Sequence, residues 1–161
     1  MMDVKHNIVT LKDAWKLVKP SHLKILNDIE KLKPNSYEDI LRFFDYDLIG
    51  TNKDVGGYCD YHNNIIAVNY EYLKTPNFCS IFSHEVSHII QVKTDDIRLI
   101  DDSVLISDVV RLEQQCEAIA MLFHKKFFNT KYVNAYFSYK DIEYLINWGE
   151  GYYENDLVIQ K

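Results

Sequence analysis

The segment His84-Glu85-Val86-Ser87-His88 constrains this chain more than any other, because it places two imidazoles and a carboxylate within an apolar run. Ile81, Phe82, Val86, Ile89 and Ile90 recur around it at helical spacing, so it reads as the middle of a half-buried helix from Thr75-Pro76 to about Lys93. Residues four apart on a helix share one face, so His84 and His88 can close on a single tetrahedral ion from the same side. Glu85 projects beside such an ion, where its carboxylate can take a proton from a water and later return it to a leaving amine. Buried without partners, these groups would be costly, and a metal removes that cost. Shuffling a composition like this one yields the pattern in about one chain in a hundred, so the apolar setting, rather than the five letters alone, supports the metal-binding expectation.

A catalytic zinc needs a third protein ligand and an open position. The extended HExxHxxGxxH pattern is absent: Gln91 stands where its glycine would be and Thr94 where its third histidine would be. No EGCLS-like segment is present either, so a cysteine ligand is not expected. The next long helix, roughly Ser107 to Phe128, carries Glu113 and Glu117 four residues apart. In isolation such a pair reads as a solvated face. Beside HEVSH, both become candidate ligands.

HEVSH followed by RLEQQCEAIAMLF resembles the gluzincin pattern HExxH…ExxA[D/N]xxA of the ImmA/IrrE-like small metallopeptidases of bacteria and phages, and of the CAAX prenyl proteases. The resemblance runs from the segment IIAVN to about Phe123. On that pattern Glu113 falls on the zinc-binding Glu, Cys116 on a small Ala, Glu117 on an Asp or Asn that orients a ligand from behind, and Ala120 on the second Ala. Glu is one methylene longer than Asp, so an exchange of roles between Glu113 and Glu117 stays open.

The resemblance implies one Zn2+ per chain held by His84, His88 and Glu113, with Glu85 as catalytic base and Glu117 as supporting or alternative ligand. It further implies a cytosolic endopeptidase acting on a protein or peptide, such as a regulatory or host protein. The alternative is a non-catalytic zinc-containing regulatory or protein-binding module. Structural zinc sites are usually closed and rich in cysteine, and a pure binder has no use for Glu85; both points favour the enzyme.

The expected fold is α+β, mainly α, over one domain (1–161): a small antiparallel sheet beside the HExxH helix and the Glu-bearing helix, a minimal zincin-like arrangement. Tyr58 to Tyr61, the turn His62-Asn63-Asn64 and the strand IIAVN read as a hairpin, the one clear β signal. IIAVN is expected either as an edge that can hold an extended peptide or as a core strand. Upstream, residues 10 to 33 read as two helices broken at Pro20, the second capped by Ser21. Ser36 and Asp39 open a short helix through Ile40, Leu41 and Phe44, and Ser138 opens a last one through Leu145 and Trp148.

A net charge of −6 excludes a field that gathers nucleic acid, and Lys125-Lys126 does not make a patch. No stretch has the length of a membrane span or the character of a secretory signal, so a cytoplasmic protein is expected. Cys59, Cys79 and Cys116, odd in number and without CxxC spacing, are expected as small core residues in a reducing compartment. Oligomeric state is not legible. For stabilising an oxyanion the sequence offers His124, Tyr132, Tyr136, Tyr139, Tyr152 and Tyr153, and spacing selects none of them. His124 lies too far along its helix from Glu113 to share an ion, and His6, His22 and His62 have no partner pattern.

Overall fold

Pro20 lacks the N–H that a first helical turn would leave unpaired, so it begins a helix rather than breaking one. In the computed structural model, which describes residues 16–97 and 106–130 (backbone only for 106–111), α1 runs Pro20–Lys31 with Lys19 as its N-cap. Ser21, the expected cap, therefore lies inside the helix, and the helix expected before Pro20 lies largely outside the described residues. α2 follows at Tyr37–Phe44 with Ser36 in extended conformation at its N-cap. Asp39 in its first turn accepts the N–H of Asn35, the residue before the cap, at 2.9 Å. That bond, with Arg42 behind it, holds the Asp39 carboxyl below the usual carboxylate range. The helix expected from Ser138 lies outside the described residues.

The sheet has three strands: β1 (Asp47–Thr51), β2 (Gly57–Asp60) and β3 (Ile65–Asn69). β2 and β3 form the expected antiparallel hairpin, with Tyr58 opposite Ala67 and Cys59 opposite Ile66. β1 was not foreseen. It pairs with β3 in parallel, Ile49 opposite Ala67, so the order is β1-β3-β2 and the sheet is mixed rather than antiparallel. IIAVN is accordingly the central strand, hydrogen-bonded on both sides. Its edges are taken, and the role of peptide-holding edge falls away from it. Asn69 at its end donates to the Lys53 and Val55 carbonyls at 2.8 and 3.1 Å, which ties down the β1–β2 loop.

α3 (Asn77–Lys93) lies between this sheet and α4 (Ile106–Phe127). Its contacts run to β2 and β3 on one side and α4 on the other. It is buried nearly all round rather than on one face, as a central helix must be. Small residues make the close approach possible: Ser80, Ser83 and Ser87 on α3, and Cys116, Ala118 and Ala120 on α4, are buried. The serine hydroxyls stay satisfied inside the helix, Ser83 on the Cys79 carbonyl and Ser87 on the Ser83 carbonyl, both at 2.7 Å. Phe82 anchors the core among Tyr37, Phe78, Phe123 and Phe128, with ring centroids 5.5 to 6.2 Å away.

Asp96, just past the end of α3, pairs with Lys19 and, at 2.6 Å, with Nε2 of the fully buried His22. His22 Nδ1 accepts the Lys19 N–H at 2.9 Å, so Nε2 carries the proton and donates to Asp96. Nε2 thereby joins the start of α1 to the end of α3, while Nδ1 secures the first turn of α1 itself. The architecture is α+β and mainly helical. No helix among the described residues is long and apolar enough to cross a membrane.

Candidate metal centre

Helical spacing does bring His84 and His88 together: their Nε2 atoms lie 3.1 Å apart with the rings edge to face. The partners of the other ring nitrogens decide what these atoms can do. His84 Nδ1 lies 2.6 Å from a carboxylate oxygen of Glu117, to which it can only donate. His88 Nδ1 lies 2.9 Å from the Gln91 side-chain oxygen. That oxygen is identified by the opposite end of the amide, whose nitrogen donates to the Leu112 carbonyl at 2.8 Å and to Gln115 at 2.9 Å. Gln115 in turn donates to the Leu17 carbonyl at 2.9 Å. Both Nδ1 atoms are therefore donors, so that in the neutral imidazoles both Nε2 atoms present lone pairs to the same point.

Glu113 completes the convergence. One of its oxygens lies 3.3 Å from His84 Nε2 and the other 3.3 Å from His88 Nε2. Three electron-pair donors at such separations repel one another unless a cation lies among them. Burial, the largest influence, disfavours charge on the two imidazoles, yet the Cys116 sulfur and the Glu113 carboxylate, joined at His84 by Glu117, outweigh it and raise both histidines well above their usual range. Burial likewise opposes ionisation of Glu113, and the two imidazoles overcome it and drive its carboxyl far below normal. The pocket is built for positive charge, as a proton or as a metal ion.

The spacing fits a metal. Zinc with nitrogen and oxygen ligands at about 2.0–2.1 Å in a tetrahedron has ligand-to-ligand edges of roughly 3.3 Å. The contacts have about that length: 3.1 Å between the two Nε2 atoms, and 3.3 Å from each of them to one oxygen of the Glu113 carboxylate. Glu117 is 1 % exposed and sits on the far side of the His84 ring from this point, so the two glutamates are divided: Glu113 faces the Nε2 atoms and Glu117 faces Nδ1.

The centre opens on a cleft of about 360 Å³ lined on the helix side by His84, Glu85, His88 and Glu113 and on the sheet side by Gly57, Tyr58, Cys59 and Tyr61. Glu85 is 2 % exposed, and among the described residues its carboxylate has no hydrogen-bond or ion-pair partner. A buried carboxylate left that way is unusual unless the groups it serves come and go.

Three residues were not read from the sequence. Gln91, noted only as a misplaced glycine, orients His88; its position three residues after that histidine, on the same helical face, was the available signal. Tyr61, in the hairpin, lines the cleft together with Tyr58, whereas Tyr132, Tyr136, Tyr139, Tyr152 and Tyr153 lie outside the described residues. Burial and the acidic groups at Cys59, Cys116, Glu85 and Glu113 push its hydroxyl far above the ordinary range, so it stays protonated. Cys116, not expected near a metal, lies with its sulfur 3.8 Å from His88 Nε2. His124 is a buried core histidine whose Nε2 meets the Thr130 hydroxyl at 3.0 Å, away from the centre.

Comparison with protein families, with curated proteins and with solved structures finds no match for this chain.

Proposed function

We propose that this chain is a zinc-dependent endopeptidase with its active site in the cleft between β2 and α3. The observation that carries the reading is the convergence of His84 Nε2, His88 Nε2 and Glu113 at the wall of a cleft that the unpaired carboxylate of Glu85 also lines. Two imidazoles and one carboxylate are the donor set of catalytic rather than structural zinc, and one ion per chain is expected. Zinc held there would polarise a peptide carbonyl and lower the pKa of a water.

The remaining work falls to the chain's own residues. Glu85 takes the proton of the attacking water and returns it to the departing amine, a task that suits a carboxylate with no competing partner. Tyr61, held protonated across the cleft, donates a hydrogen bond to the oxygen on which negative charge develops. Glu117 and Gln91 keep the two imidazoles in the tautomer that leaves Nε2 available. β2 is an edge strand and flanks the cleft, so an extended segment of a peptide or protein substrate can lie along it by backbone pairing.

The test is a metal count on the purified protein together with Glu85→Gln. The variant should keep one equivalent of zinc and lose hydrolysis of a denatured protein substrate by at least about a hundredfold. Absence of zinc from the wild type, or unchanged hydrolysis by the variant, would exclude the peptidase reading.

A further inference from the structure

Glu113 and Cys116 stand three residues apart on α4 and so present one face to α3, just as His84 and His88 present one face to α4. The Cys116 sulfur is fully buried, 3.8 Å from His88 Nε2. The donor atoms of His84, His88 and Cys116 all lie within 4.8 Å of one another. A tetrahedral zinc with a sulfur ligand at about 2.3 Å and a nitrogen ligand at about 2.0–2.1 Å has a sulfur-to-nitrogen edge of roughly 3.6 Å. Toward His88 the Cys116 sulfur, at 3.8 Å, is within a few tenths of an ångström of that edge, and toward His84 it lies within 4.8 Å.

As a thiol, Cys116 donates to the His84 carbonyl at 3.2 Å. That is a weak bond to a carbonyl already inside a helix, and it costs little to give up. Serine in the same place would make the same bond more strongly. Sulfur adds affinity for a thiophilic metal.

We propose that Cys116 is the fourth donor of the metal centre in its resting state, so that the centre is closed by two imidazoles, one carboxylate and one thiolate. The proposal rests on the metal-binding reading above. On ligation the thiol releases its proton to solvent and its bond to the His84 carbonyl breaks; no electrons are transferred. Closure fills the position a water must occupy beside Glu85, so each turnover begins with the thiolate giving way to a water. When a water takes that position, the displaced thiolate recovers a proton from solvent and its bond to the His84 carbonyl, and Glu85 has a water to deprotonate.

Cobalt(II) alone, titrated into the full chain, reads this directly, because a thiolate ligand adds an intense near-ultraviolet charge-transfer band to the visible bands of tetrahedral cobalt. The wild type should show both. Cys116→Ala and Cys116→Ser should lose the charge-transfer band and keep the visible ones, and Cys59→Ser, which alters the thiol lining the cleft, should keep both. Zinc-edge X-ray absorption on the wild type supplies a measurement that needs no variant to fold, and should show one sulfur at about 2.3 Å. Visible cobalt bands without the charge-transfer band, a zinc shell of nitrogen and oxygen only, or loss of the band in Cys59→Ser instead would overturn the role of Cys116 and leave the metal centre standing. Failure to bind either ion would overturn both.

Discussion

Glu117 accepts a hydrogen bond from Nδ1 of His84 across 2.6 Å, and the two residues are on different helices. This bond sets which nitrogen of His84 faces the centre. It follows that Glu117→Gln, which can still accept through its amide oxygen, should lower zinc affinity less than Glu117→Ala, and that Glu117→Ala should lower it about 10–100-fold. Competition against a chelating dye measures both. An alanine variant that loses zinc as completely as Glu113→Ala does would mean that Glu117 is itself a ligand.

Gln91 performs the same service for His88, and it does so only because its amide nitrogen is held by Leu112 and Gln115. Gln91→Leu keeps the volume but removes the acceptor and leaves the Leu112 carbonyl short of a partner. Zinc affinity should fall about tenfold or more, and the fold should lose about 1–3 kcal/mol in chemical denaturation. Unchanged affinity would show that the His88 tautomer is fixed by something else.

Tyr61→Phe removes one hydroxyl from the cleft wall and nothing from the metal ligands. A donor to developing charge is worth about a hundredfold in turnover, so kcat should drop by that order while KM and zinc content hold. A rise in KM with kcat intact would assign the phenol to substrate binding instead.

His124 gives the fold a pH dependence of its own. Burial, with a smaller push from the Lys125 charge, lowers it from the ordinary 6.5 to about 4. Above the ordinary value both native and unfolded chains are neutral there, and the residue contributes nothing. Between the two values the unfolded chain binds a proton that the native chain does not, so stability falls as the pH falls. At 1.36 kcal/mol per unit the loss reaches about 3 kcal/mol. Urea unfolding at neutral pH and at about pH 4.5 should show His124→Gln losing less stability than the wild type across that interval; parallel losses would place the acid sensitivity elsewhere.

What could be read from the sequence was what local geometry dictates. His84 and His88 had to share a face once their segment was helical, and Glu113 and Glu117 had to share one for the same reason. The hairpin was legible because the alternating run Tyr58 to Tyr61 and the apolar run IIAVN flank the polar turn His62-Asn63-Asn64. β1 was not, because Asp47–Thr51 is short, leaves Ile49 41 % exposed, and finds its partner in β3, the far strand of the hairpin. Its Gly50 is explained only by the fold: a Cβ there would meet the Tyr70 ring at 2.2 Å. IIAVN could not be recognised as central until β1 was known. Gln91, Tyr61 and Cys116 escaped notice because their roles depend on how α3 meets α4 and the hairpin, and no periodicity within one segment records that.

The donors of the centre are divided between two helices, with His84 and His88 on α3 and Glu113 on α4. An ion shared among them is a removable cross-link between distant parts of the chain. Its binding free energy adds to the cohesion of the helix pair and is withdrawn by a chelator. Metal supply would then set not only whether the site can react but how long the protein survives in the presence of unfolding stress and proteolysis.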